Sequence, residues 1–419
     1  MGSEQIDYAK KIDFCRSCGS GELLNILSLG ELYVTNFVHS EEEQGPRIPL
    51  ELTLCSNCSL LQLRHTTRPD LMWGDQYWYK SEINSMIRAD LKDIVEKSKD
   101  IVSLESGDIV VDIGCNDGTM LTYYQVPGLE LVGFDPSRNV AMEARTKGIR
   151  VVQDFFNEKA YSSEVGEKKA KIITAISMFY DLDKPNDFLE GITKCLDRNG
   201  LFIIQQNYLV AMLQNNAIDN LCHEHLEYYS FGSLEPLLNR HGFETFDVEL
   251  NEINGGSIRS YIRFKGSQVP QSDAAKKRIA NMVQFERATK LDDTETYHAF
   301  AKRISSLKKE LINFLTEEKR RGKKICALGA STRGNTILQY FELTPNLIDC
   351  IFDKNPDKEG KKAVGSLIPI TSPDNIGKYH PDYQVVLICH IFKGVGEDEK
   401  RFVEKGTKFI VPLPEVKVI

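Results

Sequence analysis

IVVDIGCNDGT, residues 109–119, is the stretch that decides the fold. Its apolar, β-branched start is typical of a buried strand, and the two glycines that follow mark a tight turn into a helix. At Gly114 and Gly118 the backbone can pass close to a ligand where a Cβ would clash. The pattern predicts a ligand-binding turn at the end of a strand in an α/β sheet.

The sequence after this turn alternates between strands and helices. Apolar runs at 108–113, 129–135, 150–153, 171–177 and 201–205 predict strands, and helical periodicity lies between them at 137–147 and 186–197. This alternation predicts a parallel sheet with crossover helices. Two further strands, 244–250 and 257–264, are expected to close the sheet.

Acidic residues follow the next two strands. Asp135, before Pro136, lies about 20 positions after the turn and is placed to accept hydrogen bonds from ribose hydroxyls. After the third strand, Asp154 can meet an adenine amino group and the Phe155 ring can stack beside it.

The turn lacks the full GxGxxG spacing of a dinucleotide site. The Asp-Ile-Gly-x-x-x-Gly turn, with both later aspartates in order, resembles the motif set of class I methyltransferases. This resemblance implies S-adenosylmethionine rather than NAD. The predicted cofactor residues are Gly114, Asn116, Gly118, Asp135, Pro136, Asp154, Phe155, Ser177 and Met178.

Two CxxC pairs stand near the N-terminus, Cys15 with Cys18 and Cys55 with Cys58. Four thiolates can close a tetrahedron around zinc, and because no coordination position stays open, the metal is expected to be structural. The spacing between the pairs is wider than in the usual zinc ribbon. The alternative is two unrelated reduced pairs in a loop.

We divide the 419 residues into a zinc-binding module at 1–75, a methyltransferase domain at 76–270, a helical connector at 271–322 and a C-terminal α/β domain at 323–419. A helix is expected over 77–105. Strands at 325–329, 347–353, 384–389 and 409–411 predict a second Rossmann-like unit. The fold class is therefore α/β, with two Rossmann-like sheets and a small zinc-ribbon-like module.

Composition excludes several function classes. A net charge of −8 argues against a broad nucleic-acid-binding surface. No run approaches the roughly 20 apolar residues that cross a bilayer, so no membrane insertion is expected. The N-terminus, Met1 to Lys11, is polar and does not read as a signal peptide. We expect a cytoplasmic protein with reduced cysteines, either a monomer or a homodimer.

A cluster after the fifth strand carries the candidate chemistry. His223, Glu224 and His225 bring two imidazoles and a carboxylate together. Imidazole is the natural base for removing a proton from carbon beside a carbonyl, and a neighbouring carboxylate can orient it. A metal site is disfavoured because histidines two apart diverge on a helix, and a solvent-exposed polar turn is the other alternative. Tyr77 and Tyr79, in an aromatic cluster, supply hydroxyls near this chemistry or begin a capped helix.

The second α/β unit opens on another glycine turn. Ser331, Thr332, Arg333 and Asn335 place hydroxyls, an amide and a cation at a strand-to-helix turn, which suits a pyrophosphate. The alternative is a turn used only for packing. The 254–257 segment is either an anion-binding nest or a strand bulge, and the bulge is favoured.

Taken together, these motifs resemble the deoxysugar C-methyltransferases of antibiotic and bacterial polysaccharide biosynthesis. The resemblance rests on the CxxC pairs and on residues 77–81, 112–118, 223–230, 255–257 and 329–336. It implies methyl transfer to a ring carbon of a keto-deoxysugar carried on a nucleoside diphosphate. It also implies that His225 is the base and that the second glycine turn contacts the nucleotide.

Two positions depart from the family pattern. Cys222 stands where many members have tyrosine, and Met178 to Asp181 stand where many have a histidine. Either Tyr180 or Asp181 does that work, or the substrate differs from a familiar keto-deoxysugar. The predicted substrate residues are Tyr180, Asp181, Asn207, Tyr208, Cys222, Ser331, Thr332, Arg333 and Asn335.

The interpretation is that His225 removes the proton α to a sugar ketone and that the enolate takes the sulfonium methyl, with Glu224 orienting the imidazole and Tyr77 or Tyr79 hydrogen-bonding nearby. Oxygen methylation of a sugar or another hydroxylated metabolite is one alternative. A non-catalytic zinc- and nucleotide-binding protein is another. An NAD-linked oxidoreductase is disfavoured because residues 329–334 lack GxGxxG.

Overall fold

The computed structural model describes residues 7–75, 77–390, 392, 400, 402–403 and 406–419. The strands, numbered in chain order, are β1 (Ala9–Lys11), β2 (Leu23–Tyr33), β3 (Phe37–Val38), β4 (Arg47–Cys55), β5 (Leu61–Leu63), β6 (His65–Thr67), β7 (Ile109–Ile113), β8 (Glu130–Phe134), β9 (Arg150–Val152), β10 (Ala170–Ile176), β11 (Leu196–Asn207), β12 (Glu227–Tyr228), β13 (Phe243–Asn251), β14 (Ser257–Phe264), β15 (Ile325–Leu328), β16 (Ile351–Phe352), β17 (Lys362–Ala363), β18 (Ile370–Thr371), β19 (Tyr383–Val386), β20 (Lys408–Val411) and β21 (Lys417–Val418).

The α-helices of the described residues are α1 (Ser85–Ile101), α2 (Arg138–Thr146), α3 (Glu158–Val165), α4 (Pro185–Cys195), α5 (Leu209–Gln214), α6 (Phe231–Arg240), α7 (Asp273–Thr289), α8 (Thr294–Arg320), α9 (Thr332–Tyr340) and α10 (Ile376–Tyr379). In these residues no helix combines the length and the apolar character that crossing a membrane requires.

The central sheet has seven strands in the order β13-β14-β11-β10-β7-β8-β9. β11, β10, β7, β8 and β9 are parallel, and the β13–β14 hairpin adds two antiparallel strands at one edge. All five residues of β7 are buried, as expected of a strand covered on both faces. The predicted α/β architecture is confirmed. The ligand-binding turn lies at the carboxyl end of the central strand, where open α/β sheets bind ligands.

The helix predicted over 77–105 is wrong at both ends. Residues 77–80 are not helical, α1 begins only at Ser85, and it ends at Ile101. The backbone of Tyr77 is held instead by Asn139, whose side chain accepts from its N–H at 2.9 Å and donates to its carbonyl at 2.9 Å. Asn84 then caps α1 by accepting from the amide of Met86 at 2.8 Å. The aromatic cluster at 77–79 is therefore extended chain.

The predicted helical stretch at 271–322 is two helices, α7 and α8. The chain breaks at Lys290, which has a left-handed φ of 51°, and restarts at the N-cap Asp293. α8 buries the predicted apolar stripe, which includes Phe300, Ile304 and Leu311. These side chains join a core cluster shared with residues of all the other predicted segments.

The C-terminal sheet has the order β18-β16-β15-β19-β20-β21, with all pairs parallel except β20–β21. Its first strand, β15, ends at the second glycine turn, and α9 follows that turn.

The N-terminal module shares strands with both α/β units. Its four-stranded sheet has the order β12-β5-β4-β2, and β12 comes from the segment that follows the histidine cluster. β3 pairs with β17 of the C-terminal unit. The module therefore contacts both α/β units.

Candidate functional site

The four N-terminal cysteines form one cluster. Their Sγ atoms all lie within 4.8 Å of one another, with 3.6 Å between Cys15 and Cys58 and 3.5 Å between Cys18 and Cys55. A tetrahedral zinc with Zn–S bonds of about 2.3 Å separates its sulfurs by about 3.8 Å, so the thiolates fit the ion. Gln62 Nε2 donates to Cys15 Sγ at 3.2 Å and Asn57 Nδ2 donates to Cys18 Sγ at 3.4 Å, as amides around zinc thiolates do.

A groove of about 480 Å³ opens at the carboxyl ends of the central strands. Among the predicted cofactor residues, those that line it are Gly114, Asn116, Asp135, Pro136, Asp154, Phe155, Ser177 and Met178. The N-terminal module supplies part of the opposite wall, including Thr66, Met72 and Trp73. Apolar rings with a few placed carboxylates are typical of a nucleoside site.

Asp135 organises the floor of this groove. Its Oδ2 accepts from the amide of Asn116 at 2.9 Å and its Oδ1 accepts from the amide of Ser137 at 2.9 Å. Burial raises the pKa of this carboxyl, and the two amide hydrogen bonds oppose that rise. Each carboxylate oxygen keeps a second lone pair, so a ribose hydroxyl can still donate to it.

Gly114 has a left-handed φ of 72°, and a Cβ placed there would lie 3.0 Å from Met178 Cγ. Gly114 and Met178 both line the groove, which fits the adenosyl cofactor that the sequence predicts. Gly118 does not do the same. A Cβ at Gly118 would meet Ala144 Cβ at 2.9 Å, so this glycine lets the turn pack on α2, and it is not among the described residues that line the groove.

A second cavity, of about 140 Å³, adjoins the groove. Tyr77, Tyr79 and Ser177 line both spaces, so the two share a wall. The predicted residues in its wall include Tyr180, Asn207, Glu224, His225, Ser331, Thr332 and Arg333. The structure therefore brings the histidine cluster and the second glycine turn together beside the cofactor groove. Asp181 lines the groove instead.

His225 is held by one backbone carbonyl. Its Nδ1 lies 2.8 Å from the carbonyl oxygen of Asn220. A carbonyl can only accept, so Nδ1 carries the proton and the lone pair lies on Nε2. Burial, with the charge of Arg333, lowers the pKa of the imidazole to about 4. The ring is therefore neutral at physiological pH, as a general base must be.

The other two members of the cluster differ from prediction. The hydrogen bond that orients the His225 ring comes from Asn220, not from Glu224. Glu224 lines the same cavity, and burial raises its pKa to about 7. His223 points away, with Nε2 donating to the carbonyl of Ile48 in β4 at 3.0 Å. His223 therefore faces β4 while His225 faces the cavity, because the chain turns between residues 222 and 225.

The C-terminal unit clamps the turn that carries Asn220. Arg333 Nη2 lies 2.7 Å from Asp219 Oδ2, and His390 Nδ1 lies 3.4 Å from the same oxygen. Although burial acts to raise it, these two groups hold the pKa of Asp219 at about 2. Thr336 Oγ1 donates to the carbonyl of Leu221 at 2.7 Å. Arg333 is therefore a paired cation rather than a free one.

Three predicted substrate residues lie outside the cavity wall. Tyr208 is 2% exposed and its hydroxyl donates to Glu286 at 2.8 Å. Cys222 is 1% exposed. Asn335 donates to the carbonyl of Asn36 at 3.1 Å. All three residues are buried.

The sequence reasoning missed Lys358, His390 and Asn254, which also line the cavity. Lys358 Nζ donates to the carbonyl of Ala330 at 2.7 Å and has its nearest carboxylate, Asp353, at 3.9 Å. Nothing in the sequence around Lys358 or His390 marks them, and only Asn254 lay in a segment already noted. That segment is a hairpin turn between β13 and β14, not the favoured bulge. The Asn254 carbonyl accepts from Arg333 Nη1 at 2.9 Å.

A separate cleft of about 500 Å³ lies between α1, β13 and α7. Its central cation, Arg259, is paired with Asp90 and Asp93 at 2.7 Å each. Its charges are satisfied within the protein, so it is not the candidate site.

Three protein families match successive parts of the chain. They are "Putative zinc binding domain" at residues 15–73, "Methyltransferase domain" at residues 81–248 and "C-methyltransferase C-terminal domain" at residues 252–414. The C-methyltransferase NovU of Streptomyces niveus is 31% identical over 425 residues, covering 99% of this chain and 98% of that protein.

Solved structures match about two fifths of the chain. The plantazolicin methyltransferase BpumL in complex with SAH is 17% identical and has a TM-score of 0.33, covering 42% of this chain and 82% of that one. Magnesium protoporphyrin IX methyltransferase (ChlM) from Synechocystis PCC 6803 with bound SAM is 13% identical and also has a TM-score of 0.33, covering 42% of this chain and 79% of that one.

Proposed function

The chain belongs to the C-methyltransferase family, and from this premise we propose that it methylates a ring carbon beside the ketone of a nucleotide-linked deoxysugar, with His225 as the base. As a member of the family it is an S-adenosylmethionine-dependent methyltransferase with a structural zinc module. The observation that carries the proposal is that the cofactor groove and the cavity of His225 adjoin each other. Tyr77, Tyr79 and Ser177 are shared walls of the cofactor groove and of the cavity that His225 lines.

The tautomer of His225 supports its role as the base. With Nδ1–H donating to the Asn220 carbonyl, Nε2 is the atom that takes the proton from the substrate carbon. The T-shaped contact with the Tyr180 ring, at 4.5 Å between centroids, fixes the imidazole plane.

The cofactor residues follow from the groove. Asp135 would accept from the ribose hydroxyls, the Gly114 backbone would pass beside the ligand, and Asp154 and Phe155 would meet the adenine. When bound, the cofactor supplies a methyl group on a positively charged sulfur, which is open to a carbon nucleophile. The walls of both cavities exclude water from the space between the two ligands.

Phenol groups at the junction would stabilise the charge that develops on the ketone oxygen. Burial and the nearby Glu224 carboxyl raise the pKa of Tyr77 well above its usual value, so its hydroxyl stays protonated and can donate. Preorganised donors of this kind act where charge appears during the reaction. Tyr79, at the same junction, can do the same or position the cofactor.

The nucleotide end of the substrate would meet the C-terminal unit. Ser331 and Thr332 stand at the N-terminus of α9, a favourable place for phosphate oxygens. Because Arg333 is paired with Asp219, we assign the pyrophosphate to Lys358, the other Lys or Arg side chain in the described wall of the cavity, which lies 3.9 Å from Asp353. This assigns phosphate binding to Lys358 and turn support to Arg333.

The test is mass spectrometry of the zinc-loaded chain incubated with S-adenosylmethionine and a panel of nucleotide-linked keto-deoxysugars. We expect one sugar to gain a methyl group, and NMR to place that group on the carbon beside the ketone. A methyl group on oxygen, or transfer to a hydroxylated metabolite only, would refute the carbon chemistry. Binding of nucleotide sugars without transfer to any of them would refute the catalytic role.

A further inference from the structure

We infer that the zinc site holds the His225 segment in place, and that Gln62 is the positioning residue that links the two. The inference rests on the proposed function in taking His225 as the base. The contacts that carry it lie in the hairpin formed by β4 and β5, which hydrogen-bonds to the chain before and after His225.

The segment is attached to the hairpin before and after His225. Before it, His223 Nε2 donates to the carbonyl of Ile48 in β4 at 3.0 Å. After it, the amide of Leu63 in β5 donates to the carbonyl of Leu226 at 2.8 Å. β12 then pairs antiparallel with β5, Glu227 opposite Gln62 and Tyr228 opposite Leu61. Both strands of one hairpin thus carry the short stretch that contains the imidazole.

The turn of this hairpin is the second zinc knuckle. β4 ends at Cys55 and β5 begins at Leu61, so Cys55 and Cys58 lie in the connection. The amide of Cys55 donates to the carbonyl of Leu60 at 3.0 Å and the amide of Ser59 donates to the carbonyl of Cys55 at 2.9 Å. β5 has only three residues, all of them buried, and the turn that the metal closes leads directly into it, so the metal also helps to fix β5.

Gln62 connects the first knuckle to the same strand. Its Nε2 donates to Cys15 Sγ at 3.2 Å, and its Oε1 accepts from the amide of Arg16 at 3.1 Å. The side chain is fully buried, so both bonds are made without competition from water. Gln62 is also the cross-strand partner of Glu227. One residue therefore touches the zinc thiolate and pairs with the strand that begins two residues after His225.

Asn57 offers a matched control. Its Nδ2 makes the same kind of hydrogen bond, to Cys18 Sγ at 3.4 Å, but Asn57 is exposed and lies outside β5. Asn57→Leu removes one amide-to-thiolate bond without touching the strand that pairs with β12. Gln62→Leu removes the equivalent bond and the link to Arg16.

The experiment is hydrogen–deuterium exchange with mass spectrometry on the full chain carrying one zinc per molecule, verified by metal analysis. We expect Gln62→Leu to speed exchange of the peptide spanning 222–229 on the order of tenfold, the size of one or two lost buried hydrogen bonds. Asn57→Leu is expected to leave that peptide unchanged, and the β7 peptide serves as an internal reference in both. Turnover should fall with Gln62→Leu while the KM for S-adenosylmethionine stays within about twofold.

The second measurement is the same exchange experiment on the wild-type chain after a chelator has removed the zinc. It decides the question if Gln62→Leu fails to fold or to hold zinc. Faster exchange at 222–229 than in β7 supports the inference, and equal exchange in the two overturns it. Faster exchange in Gln62→Leu with unchanged turnover also overturns it, because the base would then not depend on the link. Failure of the proposed function would appear separately, as full turnover by His225→Gln.

Discussion

Replacing Gly114 with alanine is expected to weaken binding of S-adenosylhomocysteine by about 30- to 150-fold. A left-handed φ of 72° costs an alanine about 1–2 kcal/mol. The new Cβ would lie 3.0 Å from Met178 Cγ, so Met178 must move within the groove, at about 1 kcal/mol more. An unliganded turn relaxes to relieve both costs, and ligand binding must restore the original geometry. About 2–3 kcal/mol is therefore lost from the binding free energy, which gives the stated range.

Isothermal titration calorimetry of Gly114→Ala, a control variant and the wild type measures this loss of affinity. Gly148→Ala is the matched control, because Gly148 has a φ of 81° and no atom within 4 Å of an added Cβ. Gly148→Ala carries the same cost of a left-handed φ outside the groove, and its affinity for S-adenosylhomocysteine should stay within about twofold of wild type. An affinity of Gly114→Ala within about threefold of wild type would refute the reasoning. Equal losses in both variants would show that general backbone strain, not the groove, sets the affinity.

Three further outcomes follow from buried groups. His223, with its pKa lowered to about 4 by burial, stays neutral in the fold, while the unfolded chain takes up a proton below about pH 6.5. The stability advantage of the wild type over His223→Gln should therefore shrink by about 2–3 kcal/mol between about pH 7.5 and 4.5 in urea unfolding. A constant difference would contradict this. Asp219→Asn leaves the Arg333 charge buried and unpaired and should lower the free energy of unfolding by about 3 kcal/mol in the same assay. Adding Arg333→Met should recover most of that loss. No recovery would count against the ion pair as the clamp. Lys358→Gln should raise the KM for the nucleotide sugar by about 10- to 100-fold in steady-state kinetics with kcat little changed, whereas a change in kcat alone would place Lys358 elsewhere in the reaction.

Local sequence patterns predicted the parts of the fold that depend on local order. β14 was predicted at its observed bounds, and the other strands of the central sheet within one residue of theirs except β11, which begins five residues before the predicted strand and ends two after it. Apolar β-branched runs between turn residues are a local signal. The helix over 77–105 was wrong because Asn139, distant in sequence, takes the backbone hydrogen bonds of Tyr77. A helical pattern cannot report a partner that lies so far along the chain.

Several residues of the site were predictable from the sequence, but their hydrogen-bond and ion-pair partners were not. His225 and the second glycine turn do line one cavity, but the partner of the imidazole is the Asn220 carbonyl, and backbone partners leave no mark in side-chain identity. Arg333 was expected to be free for phosphate, and its ion pair with Asp219 depends on the packing of two units. For the same reason, the pairing of β12 with β5 could not be inferred from two residues of strand.

Solvent deuterium exchange at the substrate carbon, measured by NMR without any methyl donor, tests the central claim most directly. The substrate is the nucleotide-linked keto-deoxysugar that the wild-type chain methylates. We predict that the wild type exchanges the proton beside the ketone and that His225→Gln does so at least about 100-fold more slowly, as loss of a general base requires. Exchange by His225→Gln at the wild-type rate would contradict the assignment of the base.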